Sequence, residues 1–322
     1  MIEVVECGPL VTLQDDGRPG HLSRGLAQGG AADRRARAEA EALLGQAGAG
    51  IETPGAPLRL RAGETVHLAL TGAPMRATLG DRALRWHAAQ VVEAGEVLDL
   101  RPKGPGVYSY VHVAGGFQTE AILGSRSAHL IANVGRPLAP GDELPCATGT
   151  GRAMTVDPTE RFEGGTLRLV PTPQTRLFPA AEIERFTATR FTRDARGNRQ
   201  GVRLAMDGRG FATEGQLNLL SDFILPGDIQ MTGDGVPYIL GPECQTTGGY
   251  PRIGTVIAAD LPRALQAGPG ATLTFRFVTP EEARAAAPAP PAVRPLLRDP
   301  SEVPDLLGMQ LIGGVISAKG EE

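Results

Sequence analysis

The stretch LRAGETVHLAL (residues 60–70) contains the pattern from which the fold of this chain can be predicted. Its Ala62-Gly63 pair suits the central positions of a type II turn, whose second residue takes a positive φ. The residues that follow alternate between apolar and polar side chains, which is the period of a half-buried β-strand. The stretch therefore predicts a tight turn that leads into a strand.

The same turn-and-strand unit recurs along the chain. Further copies are VEAGEVLDL (92–100), LAPGDEL (138–144), ILPGDIQM (224–231) and LQAGPGATLTF (265–275). With 43 glycines and 27 prolines among 322 residues, the composition also favours short strands joined by turns. Because the units occur in both halves, we expect two β-rich domains of related design. Such units also occur in unrelated β proteins, so five copies leave a duplication unproven.

Few helices are expected. Residues 33–44, DRRARAEAEALL, are rich in helix formers, and Gly45 suits the position after a helix end. Thr279-Pro280-Glu281-Glu282 combines an N-cap, a proline at the first helical position and an acidic residue at the third. The sequence thus predicts one longer helix in the first half and a short one near residue 280.

The domain organisation is predicted from changes in composition. The segment 147–165 is polar and lacks apolar periodicity, so we place a boundary there and expect domains at 1–150 and 151–280. Residues 287–295, APAPPAVRP, resemble an extended linker. Residues 305–318, DLLGMQLIGGVISA, are apolar enough to pack on a surface. The segment 281–322 is therefore expected to be a linker and an apolar tail.

Composition excludes several classes of protein. The net charge of −4 indicates neither a nucleic-acid partner nor a membrane-surface patch. The start, MIEVVECGPLV, has no basic region and no long apolar stretch, and no window approaches the 18 apolar residues of a membrane span. Three scattered cysteines form no disulfide or metal pattern. These features predict a cytoplasmic protein.

Common catalytic motifs are absent from the sequence. It has no phosphate-binding G-x-x-x-x-G-K-[ST] loop, no dinucleotide fingerprint and no G-x-S-x-G elbow. Its five histidines lack ligand spacing, so no metal is predicted. Cys244 could act as a nucleophile, but a free cysteine usually behaves as a small buried hydrophobe, and we favour that interpretation.

Three polar stretches remain as candidates for a site. They are LQDDGRPGHLSRG (13–25) with GGAAD (29–33), RDARGNRQGVRL (193–204) and ECQTTGGYPRIGTVIAADL (243–261). In the third, Gly248-Gly249 could turn backbone N–H groups toward one anion, and Arg252 could hold a carboxylate or phosphate-like group through two parallel bonds. The alternative is a tight turn with an arginine salt bridge. Without any reference to known families, these residues predict an oxyanion-binding cleft between two β domains.

These stretches also resemble a known family. QDDGRPG (14–20), GSRS (124–127), GNRQGVRL (197–204) and QTTGGYP (245–251) are similar to motifs of the biotin-dependent carboxyltransferase-like family, also called allophanate hydrolase subunit 2 or KipA. The resemblance covers residues 1–280 in order. It implies a mainly β fold of two cyclophilin-like β-barrel domains with few short helices. Gly29 and Ala32 depart from the family pattern, which has serine and methionine there.

The resemblance also implies a function. Family members include the C subunit of ATP-dependent 5-oxoprolinases, which hydrolyse 5-oxoproline to glutamate together with two other chains. One is the B subunit, which is KipI-like or allophanate hydrolase subunit 1-like, and the other is the LamB/YcsF-like A subunit. ATP is then used by the assembled complex, and this chain carries no covalently attached biotin, since Lys319 lacks the methionine neighbours of a carrier lysine. The alternatives are a carboxyltransferase acting on urea-type substrates, or a non-catalytic KipA-type partner of a KipI-like protein.

Site residues are carried over onto the matching motifs. Asp33 is expected to relay a proton, Thr246 to hold a developing oxyanion and the arginines to hold a carboxylate or a phosphorylated intermediate. The expected catalytic residues are Asp33, Gln245, Thr246, Tyr250 and Arg252. The expected substrate-binding residues are Arg18, Asn198, Arg199, Arg203, Thr247, Gly248 and Gly249.

Overall fold

In the computed structural model, the described residues are 1–297 without Thr148, Thr150 and residues 214–218. Within them, the N-terminal half contains twelve strands. These are β1 (Ile2–Cys7), β2 (Thr12–Gln14), β3 (Gly50–Thr53), β4 (Leu58–Ala62), β5 (Val66–Gly72), β6 (Met75–Leu79), β7 (Arg82–Ala83), β8 (Ala88–Val92), β9 (Val97–Pro102), β10 (Ser109–Val113), β11 (Glu143–Leu144) and β12 (Met154–Val156).

The strands of the N-terminal half form two sheets around one core. A six-stranded sheet has the order β11-β1-β4-β9-β6-β7, and a seven-stranded sheet has the order β2-β3-β10-β5-β8-β12-β22, where β22 is Val293–Pro295. Alternation places Leu58 and Leu60 of β4 in the core, while Arg59 and Arg61 lie on the other face. Burial of the apolar faces of both sheets holds this half together.

The C-terminal half is a closed seven-stranded barrel of order β13-β20-β17-β18-β15-β14-β21. Its core includes four packed phenylalanine rings, those of Phe186, Phe191, Phe211 and Phe275. The strands of this half are β13 (Gly164–Val170), β14 (Phe191–Asn198), β15 (Gly201–Ala205), β16 (Asp222–Phe223), β17 (Asp228–Met231), β18 (Pro237–Leu240), β19 (Thr247–Gly248), β20 (Arg252–Val256) and β21 (Thr272–Phe277). β16 and β19 pair with each other outside the barrel.

Helices are few, and the predicted mainly β fold is confirmed. The described residues contain α1 (Arg34–Leu44), α2 (Ala180–Ala188), α3 (Leu261–Gln266) and α4 (Pro280–Ala285), with 3₁₀ turns at Leu22–Arg24, Leu130–Ala132 and Thr175–Leu177. Both predicted helices are present. Asp33 caps α1 by accepting from Ala36 N, and Thr279 forms a capping box with Glu282 at the start of α4. None of the described helices is long and apolar enough to cross a membrane.

The turn prediction is correct for three of the five repeated units. Gly95, Gly141 and Gly227 have φ values of 85°, 91° and 95°. It is wrong for Gly63 and Gly268, which do not take a positive φ. Gly63 instead lies in a bend just after β4 and donates to Met1 O, and in the last unit the positive φ falls on Gly270.

The strand pairing does not change at residue 150, where the sequence placed the domain boundary. β12 pairs with β8 and β22 in the N-terminal sheet, and the barrel begins only at β13. The short apolar run of β12 lies in a polar, glycine-rich segment, so hydrophobic periodicity could not reveal it. β22 and α4 likewise fall within the expected linker and tail, while the predicted apolar tail at 305–318 lies outside the described residues.

We predict that Gly50→Ala destabilises the fold. A Cβ at Gly50 would lie 2.3 Å from His112 Nδ1, and His112 is fully buried, so neither residue can move aside. Overpacking of this kind costs about 1–3 kcal/mol. Gly268→Ala is the control, because a Cβ there meets nothing within 4 Å. Urea unfolding followed by Trp86 fluorescence measures both, and equal stability of the two variants would contradict the prediction.

We also predict that His112 makes the fold acid-sensitive. Burial, with a smaller effect of Arg37, lowers the pKa of His112 from 6.5 to about 3. The unfolded chain then binds the proton more tightly than the fold, so the free energy of unfolding falls as the pH drops below 6.5, by about 1.4 kcal/mol per unit. The difference in unfolding free energy between pH 7 and pH 5 should shrink in His112→Leu. An unchanged difference would show that His112 is not responsible.

Candidate functional site

The two halves meet at the buried side chain of Arg199. This residue lies in the two-residue turn between β14 and β15, where Asn198 pairs with Gly201. Its Nη1 pairs with Glu52 of β3, and its Nε donates to Glu243 Oε1 at 2.5 Å. Its Nη2 donates to Gly30 O at 2.6 Å and to Gln14 Oε1 at 3.2 Å. A hairpin of the barrel is thereby tied to the N-terminal half through Nη1 and Nη2 of one guanidinium group, while Nε binds Glu243 of the hairpin's own half.

Glu52 connects Arg199 to the start of α1. The Tyr110 hydroxyl donates to Glu52 Oε2 at 2.6 Å and accepts from Asp33 N at 2.8 Å. Asp33 Oδ2 accepts from Arg161 Nε at 2.7 Å and from Gln266 Nε2 at 2.8 Å. Asp33 therefore caps α1 and joins α3 of the barrel to the N-terminal half.

A second arginine neutralises the far end of this network. Arg161 donates to both carboxylate oxygens of Glu39, at 2.9 and 2.8 Å, as well as to Asp33. Burial would raise the pKa of Glu39, but the neighbouring His87, whose Nδ1 lies 3.7 Å from Glu39 Oε2, and the Arg161 charge lower it below the usual value. For Arg199, burial opposes the charged form, and the charges of Glu52 and Glu243 outweigh it and raise the pKa. The ion pairs are thus maintained inside the protein.

An open cleft of about 500 Å³ lies against Arg199 and is lined by both halves. Its polar side includes Asn198, Gln200, Glu243 and Tyr108. Its apolar walls are formed by Pro9, Leu10, Pro54, Pro57, Leu130 and Ile131. Among the described residues, no hydrogen bond satisfies the Tyr108 hydroxyl. Burial, together with the charge of Glu52, raises its pKa, so the phenol stays protonated and can donate.

Arg252 lies apart from this cleft, where it holds the small β16–β19 pair. It forms ion pairs with Asp222 and with Asp228, the latter at 3.1 Å, and its Nη1 donates to Phe223 O at 2.7 Å. Gln174 Oε1 accepts from both its backbone N and its Nε. These contacts are those of the salt-bridged turn that the sequence left open as an alternative, and each guanidinium nitrogen of Arg252 already has an acceptor within the protein.

The neighbouring loop has no anion-binding nest. Gly248 pairs with Asp222 in a strand, and neither Gly248 nor Gly249 takes the positive φ that a nest requires. Adjacent glycines permit many conformations, so the sequence alone could not fix this one. Gln245, Thr247 and Tyr250 are exposed, and Thr246 is half-buried. Their predicted roles stay predictions.

The remaining candidates are distributed around the molecule. Arg18 is buried and donates to the carbonyls of Ile122, Ser125 and Ser127. Arg203 forms ion pairs with Asp194 at 2.9 Å and Asp234 at 3.5 Å on the barrel. Of the predicted set, the network joins Asp33 to Arg199, and Asn198 adjoins them at the cleft. It does not include Arg203 or Arg252.

Cys244 is the buried residue favoured by the sequence. It packs with Ile224 and Leu240, and burial together with the charge of Asp228 raises the pKa of its thiol to about 12. A thiolate is the nucleophilic form of cysteine, so this environment opposes catalysis by Cys244.

Sequence reasoning missed the partners that hold the arginines. Glu52, Glu243, Tyr110, Arg161 and Gln266 were not singled out. Glu52 carried a usable signal, because it is an acidic residue in β3, all four residues of which are buried. A charge in such a strand requires a partner. Glu243 opened the third polar stretch but was obscured by the larger number of polar residues after it.

We predict that Arg199→Met is strongly destabilising. The change leaves the carboxylates of Glu52 and Glu243 buried without their counterion, which costs about 3–5 kcal/mol. Arg203→Met is the matched control: it also removes an arginine with two carboxylate partners, but these lie nearer the surface, where such pairs contribute about 0–1 kcal/mol. Urea unfolding compares the two, and similar losses would refute the central role of Arg199.

Comparison with known proteins identifies the family of the chain. Residues 24–277 match the model of the carboxyltransferase domain, subdomain A and B. The chain is 32% identical to the C subunit of 5-oxoprolinase from Escherichia coli strain K12 over 295 residues, which are 88% of this chain and 93% of that protein. It is 31% identical to the corresponding 5-oxoprolinase C subunit of Haemophilus influenzae over 297 residues, again 88% and 93% of the two chains.

Solved structures show the same fold within longer chains. The crystal structure of TTHA0988 superposes with a TM-score of 0.77 at 30% identity, over 85% of this chain and 56% of that chain, so this chain spans about half of that protein. The K. lactis urea amidolyase superposes with a TM-score of 0.80 at 24% identity, over 88% of this chain and 19% of that chain. The chain belongs to the family of carboxyltransferase domains with subdomains A and B.

Proposed function

We propose that this chain is the C subunit of an ATP-dependent 5-oxoprolinase-type complex that hydrolyses 5-oxoproline to glutamate. The observation that carries the proposal is the similarity to the C subunit of 5-oxoprolinase over 88% of this chain and 93% of the relative. The partners would be one chain of the LamB/YcsF type and one of the KipI type, the A and B subunits. ATP would be a ligand of the assembly, since this chain has no phosphate-binding loop, and no biotin would be attached.

The cleft beside Arg199 is the part of this chain best suited to a lactam. Its volume of about 500 Å³ lies within the usual range for small-molecule sites. The proline and leucine walls would pack on the saturated ring, while the amides of Asn198 and Gln200 can both donate and accept hydrogen bonds. A cyclic amide presents one N–H donor and one carbonyl acceptor, which such groups can satisfy.

Tyr108 would hold the oxygen of the lactam carbonyl. Ring opening breaks the amide C–N bond after an oxygen nucleophile adds to the carbonyl carbon, and negative charge develops on the carbonyl oxygen. The protonated hydroxyl of Tyr108, which lacks a partner within the described residues, can donate to that oxygen. Arg199 would position the hairpin that carries Asn198 and Gln200, because its own nitrogens are already bonded to the protein and its charge is compensated by Glu52 and Glu243.

A carboxyltransferase acting on urea-type substrates is the second candidate. It is favoured by the family of the chain, whose model is that of a carboxyltransferase domain. The same cleft would then receive urea or a related amide, and another chain would have to supply the carboxylated biotin. A non-catalytic, KipA-type role remains as the outcome in which neither reaction requires this chain.

The test is glutamate release from 5-oxoproline and ATP by this chain mixed with the A and B subunits. We expect glutamate only in the complete mixture. Tyr108→Phe should lower the rate by about 2- to 10-fold, the value of one hydrogen bond. Tyr238→Phe is the matched control, because Tyr238 lies on β18, its hydroxyl donates to Gly201 O, and Tyr238 does not line the cleft.

Each outcome separates the candidates. If the three chains assemble and no glutamate forms, the 5-oxoproline assignment is wrong, and consumption of urea with carboxybiotin would replace it. If glutamate forms equally well without this chain, the chain is regulatory. Equal rates for Tyr108→Phe and Tyr238→Phe would contradict the role proposed for Tyr108. The assignment of the chain to a 5-oxoprolinase-type complex would be unaffected.

A further inference from the structure

Two buried hydrogen-bond donors without acceptors border the same position in the N-terminal half. Arg18 is 1% exposed and His129 is 3% exposed. Arg18 donates through Nε and Nη2 to backbone carbonyls, but within the described residues its Nη1 has no partner. The Nε2 of His129 has none either. Buried donors are rarely left unsatisfied, so each requires an explanation.

The protonation state of His129 follows from its other nitrogen. Nδ1 accepts a hydrogen bond from Ala132 N at 3.3 Å, which places the proton of the neutral ring on Nε2. Burial, with the charges of Arg199 and Arg18, lowers the pKa of His129 despite the nearby Glu243. The ring is therefore neutral near pH 7, and its Nε2–H is a donor that requires an acceptor.

Gly29 lies against both side chains. An atom at the position of its missing Cβ would lie 3.3 Å from His129 Cδ2 and 4.0 Å from Arg18 Nη1, and apart from the adjoining chain nothing is nearer. Gly29 is itself buried and has a φ of 65°, a conformation that side chains rarely adopt. Arg18 Nη1 and the imidazole ring of His129 thus approach the same face of Gly29.

The charge at this position favours an anion over water. The direct partners of Arg18 are neutral carbonyls, and none of the ion pairs in the described residues includes it. Asp15 and Glu243 act on it only at longer range, and Asp15 already accepts from the hydroxyls of Ser125 and Ser127 and from two backbone N–H groups. A buried charge without a contacting counterion is costly, and water could satisfy the donors but would supply no charge.

We propose that the space beside Gly29 binds a small monovalent anion through Arg18 Nη1 and His129 Nε2. The ligand is a halide or one oxygen of a small carboxylate, since either can accept from both N–H donors and supplies a negative charge to Arg18. His129 is adjacent in the chain to Leu130, which lines the cleft, but Arg18, Gly29 and His129 do not line it. It does not depend on the reaction proposed for the chain.

The first experiment locates the ion directly. Crystals of the protein soaked in sodium bromide should show an anomalous peak between Arg18 Nη1 and His129 Nε2. Gly29→Ala should abolish the peak, because the added methyl group occupies the space. A water molecule at this position with no anomalous signal in the wild-type protein would overturn the proposal.

The second experiment measures binding in solution. At equal ionic strength, the melting temperature of the wild-type protein should be higher in bromide or formate than in gluconate, by about 2 °C or more. Gly29→Ala should lose this dependence. Gly25→Ala is the control, since Gly25 also has a positive φ of 81° but no atom within 4 Å of its Cβ, and it should retain the dependence.

Gly29→Ser isolates the role of the acceptor. Serine and alanine impose the same backbone strain at this position, but the serine hydroxyl can accept from Arg18 or His129. We expect Gly29→Ser to melt higher than Gly29→Ala and to be insensitive to the anion. A larger shift in formate than in bromide assigns the site to carboxylates, and the reverse order assigns it to halides. Equal anion dependence in the wild-type protein and Gly29→Ala would refute the site.

Discussion

The burial of one guanidinium group, that of Arg199, determines how the two halves of this protein are arranged. A charge can remain inside a protein only if counterions and hydrogen-bond acceptors surround it, and these come from β3, from Gly30 and from Glu243. The first two belong to the N-terminal half, while Glu243 and the hairpin that carries Arg199 belong to the C-terminal half. The hairpin is therefore fixed in one position, and so are the residues of the hairpin that line the cleft.

The same arrangement explains why the cleft combines rigid walls with a few polar groups. Prolines on either side need no buried backbone N–H partner, and they restrict the motion of the loops that carry them. The charged residues behind the cleft satisfy one another, which leaves Tyr108, Asn198 and Gln200 as the groups available to a ligand. A ligand in the cleft would thus meet neutral hydrogen-bonding side chains, while the charged side chains are paired with one another.

The sequence contained most of the fold but only part of the site. Strand alternation, the caps of α1 and α4, and three of the turn glycines are local features, and local features can be read from spacing. Several partners of Arg199 and Asp33 come from distant segments: Glu52 is 147 residues from Arg199, and Gln266 is 233 residues from Asp33. Sequence spacing carries no information about such contacts, and arginine-rich stretches look alike whether their charges face a ligand or another side chain.

The position of β22 in the chain affects how the protein folds during synthesis. β22 (Val293–Pro295) completes the edge of a sheet whose other strands end at Val156, and the entire barrel lies between them in the sequence. The N-terminal strands are synthesised first. While the barrel is being translated, β12 of this sheet therefore still lacks β22, its outer neighbour. The uncovered edge of β12 offers a pairing partner to other extended segments during that interval. β22 thus covers the edge of β12 only after the rest of the sheet and the barrel have been synthesised.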